Sequence, residues 1–202
     1  MIAARGCQAA FKGYRGYPAS ACVSVNEEIV HGIPSAGKVI QDGDIVSVDA
    51  GLIYNGYYAD MAVTVPVGNV DPEVMRLLEV TRESLLKGIA QARAGEHLSN
   101  ISHAVQSYAE ANGCSVVRDF VGHGIGQHLH EDPEILNYGP PHLGPVLQEG
   151  MVFCIEPMLN LGTWQTRILE DGWTVVTADG KPSAHFEHMV SIREGEPEIL
   201  TA

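Results

Sequence analysis

Four acidic residues interrupt apolar segments that are otherwise typical of β-strands. Asp49 and Glu156 each stand six residues after a glycine, at the end of one strand, whereas Asp60 and Glu187 each precede a second strand. An unpaired carboxylate is costly to bury, so each must be exposed, paired or bound to a cation. Carboxylate oxygens suit hard or borderline metals such as Mn, Fe(II) or Co. The four acids therefore predict a metal site, provided that they meet.

The matching positions of the acids suggest that the chain consists of two related halves that face one another. Side chains alternate along a strand, so Cys154 shares a face with Glu156, and His185 shares a face with Glu187. Such faces could line a cavity. The alternative is that each acid lies on the solvent face of an antiparallel sheet. Occurrence in both halves favours a metal site, because four convergent carboxylates would repel one another without cations.

A segment rich in glycine and histidine, residues 122–133, separates the two acidic halves. His123 stands between two glycines, which let the backbone approach a ligand closely, and His130 follows seven residues later. A lone histidine is more often structural. Three histidines within eight residues, beside the acids, favour a functional site. His31 is a weaker candidate by itself.

Several familiar motifs are absent or broken. Residues 32–38 fit most of a P-loop, but Val39 stands where a magnesium-binding hydroxyl is needed, and Pro34 removes a backbone N–H. The glycines after residue 122 lack dinucleotide-binding spacing. Neither a His-Glu-x-x-His helix nor a Gly-x-Ser-x-Gly elbow is present. We therefore exclude ATP binding at residues 32–38, and these motifs indicate no serine hydrolase or zincin.

Composition limits the class of protein and its partners. The 202 residues are 45% hydrophobic and 18% charged, which predicts a compact domain or two closely packed halves. The net charge of −13 argues against autonomous nucleic-acid binding. Four scattered cysteines without a Cys-x-x-Cys pair predict reduced thiols. No apolar run is long enough for a membrane span and no secretory signal is visible, so we expect a cytoplasmic protein that does not bind membranes.

Two helices and a series of strands should position these residues. Asp71 and Pro72 open a helix predicted to extend to about Gly95, and Ser99 is predicted to cap a second helix over 99–113. Both helices should cover a sheet. Strands are expected over Ile45–Gly51, Tyr57–Val67, Met151–Leu161, Trp173–Thr177 and Ala184–Arg193.

The whole set of motifs resembles the bacterial type I methionine aminopeptidases. The resemblance runs from near residue 7 almost to the end of the chain, and several motifs occur in the right order. The stretches that carry it are 13–18, 24–34, 43–49, Asp60, 122–126, 130–133, 150–158, 171–174 and 186–188.

This resemblance implies an α+β fold of the pita-bread type, with one catalytic domain over residues 1–202. Two pseudo-symmetric halves with antiparallel sheets would surround a central dinuclear metal site, with helices outside. Asp49 would hold one metal, His123 and Glu156 the other, and Asp60 and Glu187 would bridge both. The two divalent ions would be Co, Mn, Fe(II) or Zn.

The resemblance also implies metal-assisted hydrolysis, in which the metals lower the pKa of a water and polarise the scissile carbonyl. Glu156 would shuttle protons, His130 would contact the carbonyl oxygen, and His31 would position the substrate amide. The alternative for the residues that would hold the methionine side chain is ordinary core packing. The substrate-binding residues expected from the resemblance are Tyr14, Tyr17, Cys22, His31, Leu129, His130 and Trp173.

The chain departs from the family pattern in two places. The family has a helical segment ahead of the Tyr14 region, whereas here the covering helices of the first half are missing. We expect either a fragment or short form, or cover by a partner or second copy, and a loss of burial energy where cover is absent. In addition, Leu129 replaces an aromatic wall of the pocket and His128 adds bulk beside the site, so rate and side-chain preference should change.

The predicted function is removal of the N-terminal methionine from nascent proteins and peptides with a small second residue. The protein is expected to be a monomer that contacts the ribosome transiently. One alternative is a proline-specific peptidase of the same fold, which the Tyr14–Tyr17 pocket disfavours. The other is a non-catalytic peptide-binding protein, which would typically have lost metal ligands.

Overall fold

The computed structural model describes residues 2–202, which form antiparallel sheets and two α-helices. The helices are α1 (Pro72–Ile89) and α2 (Ser99–Ala111), and short 3₁₀ turns cover Ala3–Arg5 and Tyr14–Gly16. The strands are β1 (Gln8–Ala9), β2 (Cys22–Val25), β3 (Glu28–Val30), β4 (Ile45–Asp49), β5 (Leu52–Tyr54), β6 (Tyr57–Ala59), β7 (Ala62–Pro66), β8 (Ser115–Val116), β9 (Gly122–Gly124), β10 (Glu131–Ile135), β11 (Val152–Ile155), β12 (Met158–Asn160), β13 (Thr166–Ile168), β14 (Val175–Thr177), β15 (Ser183–His185), β16 (His188–Ser191) and β17 (Glu198–Ile199).

Two sheets supply most of the framework. In the first half the strand order is β2-β4-β7, and in the second half it is β10-β9-β11-β16-β17. The smaller sheets have the orders β1-β5-β6, β15-β12-β8 and β13-β14-β3. All the strand pairs are antiparallel. The expected α+β class, with two related halves and helices outside, is therefore confirmed.

Four predicted strands contain an acid, and three of them are broken at the acid, whereas β4 is continuous up to Asp49. The segment predicted as one strand over 57–67 is two strands separated by Asp60 and Met61, and the segment over 151–161 is interrupted at Glu156 and Pro157. The last segment is interrupted just before β16, at Glu187. Continuous strands were therefore wrong here. A bridge between Ala62 and Glu187 and the pairing of β3 with β14 are among the links between the two halves.

The helix boundaries agree only in part with the sequence-based prediction. The side chain of Asp71 accepts a hydrogen bond from the N–H of Glu73 at 2.7 Å, so it caps α1 as expected. The helix ends at Ile89, before the predicted Gly95. Ser99 does not cap α2, because its hydroxyl instead accepts from the N–H of Leu143 at 2.8 Å.

The outer faces of the two main sheets differ in their cover. In the second half, Phe153, Ile155 and Val190 are almost fully buried in a core cluster with Leu85 of α1 and Ile101 of α2. Burial of such large apolar side chains is the main stabilising contribution to a core.

In the first half, the outer face of β2, β4 and β7 is a patch of six valines, termed the valine face. Its central residue Val46 is buried, but Val48 is 36% and Val65 is 41% exposed. The other three valines, Val23, Val25 and Val63, are partly exposed. Among residues 2–202, no helix combines the length and apolarity needed to cross a bilayer.

Candidate metal centre and substrate cavity

A cavity of about 290 Å³ lies between the two halves. Carboxylates and imidazoles line one part of it, and aromatic or apolar side chains line another. All the residues that the sequence analysis assigned to the site border this cavity, namely Tyr14, Tyr17, Cys22, His31, Asp49, Asp60, His123, Leu129, His130, Glu156, Trp173 and Glu187. The chain thus brings together residues that are up to 173 positions apart in sequence.

Two groups of donor atoms in the cavity are close enough to share cations. Oxygen atoms of Asp49, Asp60 and Glu187 lie within 4.8 Å of one another. Donor atoms of His123, Cys154 and Glu187 form a second group, in which the atoms also lie within 4.8 Å of one another. Glu187 belongs to both groups, so its carboxylate stands where a bridging ligand would be needed.

His123 is held so that one ring nitrogen is available as a ligand. Its Nδ1 lies 2.9 Å from the carbonyl oxygen of Gly124, and a carbonyl only accepts, so Nδ1 carries the proton and donates. The other nitrogen, Nε2, is therefore unprotonated in the neutral ring and lies 3.4 Å from Oε1 of Glu156. Fixing the tautomer through the second nitrogen is a common feature of histidine ligands.

The carboxylates are poorly solvated and lie close to like charges. Burial raises the pKa of Asp60 to about 7. Burial, followed by repulsion from Asp60, raises the pKa of Asp49, and the same two causes raise the pKa values of Glu156 and Glu187. Burial also lowers the pKa of His123 and so keeps it neutral.

This donor set fits divalent cations. Oδ1 of Asp49 is buried without a hydrogen-bond partner. Within residues 2–202, the ion pairs of the four acids are to histidines alone, His123 and His185, both of which pair with Glu156. A cation would neutralise the acids and satisfy the unpaired oxygen, and mixed oxygen and imidazole donors suit Mn, Fe(II), Co or Zn.

Glycines on β9 allow His123 to sit deep between neighbouring strands. A Cβ atom at Gly122 would lie 2.2 Å from the carbonyl oxygen of Cys154, and one at Gly124 would lie 2.4 Å from that of Asp132. The glycines are therefore needed for close packing of β9 against β11 and β10. The packing of neighbouring strands is thus a reason for these glycines in addition to the expected approach of the backbone to a ligand, which stays a prediction.

Two further histidines stand at the mouth of the cavity. Nδ1 of His130 lies 2.8 Å from the hydroxyl oxygen of Tyr14, and the ring centroids of His130 and His123 are 4.3 Å apart. Partial desolvation, followed by the proximity of His123, lowers the pKa of His130. His31 has a left-handed backbone, with φ of 60°, and packs edge-on against Phe120 at 5.5 Å.

The apolar part of the cavity could receive an unbranched side chain. Tyr17, Cys22 and Leu129 are each less than 5% exposed and belong to one cluster. The hydroxyl of Tyr17 donates to the carbonyl oxygen of Gly32 at 3.0 Å, and Trp173 packs edge-on against its ring at 5.1 Å. Aromatic and sulfur-containing walls suit a polarisable thioether.

Several residues of the site were missed by the sequence-based prediction. Phe11, Arg15 and Phe120 line the cavity; Arg15 lies within the motif 13–18 but was not assigned a role, and no motif marks Phe11 or Phe120. Cys154 supplies a donor atom to the second group, although its parity with Glu156 was the only available signal. Conversely, His128 was expected to add bulk beside the site, but it is exposed and lines a separate surface groove. Its N–H is bound to Glu131, which turns the loop outward.

A carboxylate-rich centre between two antiparallel halves, beside the apolar wall of the same cavity, defines a metal-dependent peptide hydrolase. The family model described as metallopeptidase family M24 matches residues 1–194. The chain belongs to this family, whose members use divalent metal ions.

Relatives with high identity are methionine aminopeptidases. The chain is 56% identical over 201 residues to methionine aminopeptidase 1 of Bacillus subtilis, covering 100% of this chain and 81% of that protein. The crystal structure of the methionine aminopeptidase from Thermotoga maritima superposes with a TM-score of 0.98 at 51% identity, covering 99% of this chain and 80% of that one. A prolidase from Pyrococcus horikoshii, with a TM-score of 0.70 and 23% identity, covers 90% of this chain and 47% of that one and shares the fold alone.

Proposed function

We propose that this protein is a methionyl aminopeptidase, which hydrolyses the peptide bond after an N-terminal methionine and prefers a small second residue. The observation that supports this most directly is the juxtaposition of a carboxylate-rich centre with an apolar wall in one small cavity. The centre can bind the free amine and activate the peptide bond. The pocket, bounded by Tyr17, Cys22 and Leu129, limits the first side chain to one of about the size of methionine.

The proposed metal ligands are the five residues expected from the sequence, and a pair of divalent ions is the favoured occupancy. Asp49 would hold one ion, His123 and Glu156 the other, and Asp60 and Glu187 both. When bound, such ions supply Lewis-acid activation of a water and of the scissile carbonyl.

The remaining chemistry belongs to side chains at the cavity wall. Glu156 would take the proton of the attacking water and deliver it to the leaving nitrogen, the role that the family resemblance implies for it. His130 would donate a hydrogen bond to the carbonyl oxygen as negative charge develops there. His31, opposite Phe120, would orient the amide of the second residue.

The test is release of free methionine from the peptides Met-Ala-Ser and Met-Leu-Ser by metal-depleted protein titrated with Mn, Fe(II), Co or Zn. We expect turnover of Met-Ala-Ser at least ten-fold faster than of Met-Leu-Ser, and loss of turnover in Glu156→Gln. The matched control is Glu79→Gln on the exposed face of α1, which should retain full activity.

Absence of turnover in protein that binds two equivalents of metal would contradict the proposal and favour a peptide-binding role. Turnover of Ala-Pro or Met-Pro dipeptides in preference to Met-Ala-Ser would instead support a proline-specific peptidase. Metal content measured after purification without chelator separates these outcomes from a failure to hold metal.

The proposed setting follows from the substrate. Nascent polypeptides carry the N-terminal methionine, so the protein would act in the cytoplasm and meet the ribosome transiently, as a monomer with one catalytic domain over residues 1–202. The net charge of −13 supports the absence of autonomous nucleic-acid binding.

A further inference from the structure

His185 is a buried histidine next to the proposed centre that none of the assigned roles uses. It is the last residue of β15 and is only 2% exposed. Its backbone is locked to the other half of the molecule through Thr64. The N–H of His185 donates to Oγ1 of Thr64 at 2.9 Å, and that hydroxyl donates to the carbonyl oxygen of His185 at 2.8 Å. The backbone that carries the imidazole is therefore held in place by hydrogen bonds at both its N–H and its carbonyl oxygen.

The ring of His185 points to the carboxylate of Glu156. Its Nε2 lies 3.7 Å from Oε2 of Glu156 and is fully buried without a hydrogen-bond partner. An unpaired buried N–H or lone pair costs free energy, so a native protein retains one only where something compensates. A partner only slightly beyond hydrogen-bond distance is available in Glu156.

The two oxygens of Glu156 face two different imidazoles. Oε1 lies 3.4 Å from Nε2 of His123, the nitrogen left free for a cation, so Oε1 is on the metal side. Oε2 is turned to His185. A small cavity of about 120 Å³, bordered by His31, Glu156 and His185, adjoins this contact.

We propose that His185 is a positioning residue for Glu156, in which the neutral imidazole donates a hydrogen bond from Nε2–H to Oε2 and fixes the carboxylate with Oε1 on the metal side. The inference rests on the proposed function, which assigns proton transfer to Glu156. Orienting residues of this kind affect activity or metal affinity about 10- to 100-fold in metalloenzymes.

The kinetic test compares His185→Met, which has similar length and no donor, with His185→Gln, which keeps an N–H donor. We expect His185→Met to lower kcat about 10- to 100-fold while KM for Met-Ala-Ser stays within about two-fold. On a logarithmic scale, the decrease of kcat in His185→Gln should be at most half of the decrease in His185→Met. The control is His103→Met on the exposed face of α2, which should not change either constant.

A double-mutant comparison separates positioning from a general packing defect. In the Glu156→Gln background, His185→Met should cause little further loss of residual kcat, because the group that it positions is already gone. Independent, multiplicative losses would overturn the inference, as would equal losses in His185→Met and His185→Gln at unchanged thermal stability.

A spectroscopic test does not depend on turnover. The measurement is the ¹⁵N NMR spectrum of zinc-loaded protein with ¹⁵N-labelled histidine, in which the signal of His185 is the one that disappears in His185→Met. We expect this signal to be that of a neutral ring protonated at Nε2. Glu156→Gln should shift it. A ring protonated only at Nδ1 would overturn the inference. Inactive wild-type protein in the methionine-release assay would refute the proposed function itself, so the two failures are distinguishable.

Discussion

At the scale of single residues, the centre depends on side chains whose protonation is set by their surroundings. His123 is neutral and donates from Nδ1 to a backbone carbonyl, which leaves Nε2 for a ligand role. Nδ1 of His130 is paired with the Tyr14 hydroxyl, which can donate or accept, so this contact fixes the orientation of the ring but not its tautomer. The two histidines thus differ: the partner of His123 sets both its orientation and its tautomer, whereas the partner of His130 sets its orientation alone.

Substitution of Tyr14 by phenylalanine should weaken this arrangement at His130. Loss of one hydrogen bond of about 1 kcal/mol corresponds to roughly a five-fold decrease in kcat/KM for Met-Ala-Ser. Tyr54→Phe, at an exposed tyrosine of β5, is the control and should leave kcat/KM unchanged. A Tyr14→Phe variant as active as wild type would show that the Tyr14 hydroxyl does not orient His130.

The stability of the metal-free protein should fall as pH rises from 6.5 to 8.5. The pKa values of the acids of the centre are higher in the folded state than in the unfolded state, and that of Asp60 is about 7. The contribution of these acids to the free energy of unfolding is therefore lost as pH rises through their folded-state pKa values. The buried histidines have lowered pKa values and act in the opposite direction, but only below about pH 6.5. The chosen window excludes the histidines, and the buried cysteines, whose pKa values are also raised by burial, add to the fall only at its upper end.

Thermal unfolding of metal-free protein across this window provides the measurement. The midpoint temperature should fall by several degrees, the slope should be shallower in Asp60→Asn, and saturating Zn or Mn should remove it. The exposed-site variant Glu79→Gln should retain the wild-type slope. A midpoint that rises with pH would contradict raised pKa values in the centre.

At the scale of elements, the acids are placed by interrupted strands rather than by continuous ones. Alternation along β4 correctly predicts that Asp49 faces inward with Ser47, whose hydroxyl contacts that of Thr64 at 2.7 Å. Alternation could not predict the breaks at Asp60, Glu156 and Glu187, because they arise where the chain passes from one sheet to another. Long-range packing of this kind leaves no local signal in sequence.

The same distinction explains which site residues could be predicted. The acids were recognisable because carboxylates in apolar strands are costly without a partner. Phe11 and Phe120 were not recognisable, because an aromatic residue in a cavity wall has the same local pattern as one in a core. The family resemblance supplied Tyr17 and Trp173 for this reason, whereas spacing alone could not.

The glycines of β9 give a prediction at this scale. Gly124→Ala should destabilise the protein by about 1–3 kcal/mol, the range for overpacking, because the added methyl group would meet a backbone carbonyl at 2.4 Å. The resulting shift of His123 should also weaken metal binding about ten-fold or more. Gly195→Ala, where an added Cβ meets nothing within 4 Å, is the control. Denaturant unfolding and calorimetric metal titration measure the two effects.

At the scale of the whole molecule, both halves supply candidate metal donors to one cavity. The outer faces of their sheets, however, are buried to different extents. The outer face of the second half lies under α1 and α2, whereas the valine face of the first half leaves Val48 and Val65 accessible. Contiguous exposed apolar area promotes association between molecules. The catalytic cavity lies on the opposite side of the same strands, where Asp49 and Ser47 point inward.

Charges introduced on the valine face should therefore change association without changing chemistry. We expect the double variant Val48→Lys and Val65→Lys to keep its kcat/KM and metal content while its light-scattering mass at high concentration decreases or stays monomeric. In contrast, Phe153→Ala under the helices should cost about 3–5 kcal/mol in unfolding free energy. Loss of activity in the lysine variant would show that the valine face is coupled to the cavity.

The wide separation of the ligands along the chain has a consequence for the order in which the protein is made. Asp49 and Asp60 are synthesised more than 120 residues before Glu187, which completes both donor groups. Until the segment that contains Glu187 has been translated and has paired with Ala62, the donor groups are incomplete. Burial of Asp49 and Asp60 is therefore unfavourable before that point. Binding of metal at the proposed centre would thus have to follow the synthesis of Glu187.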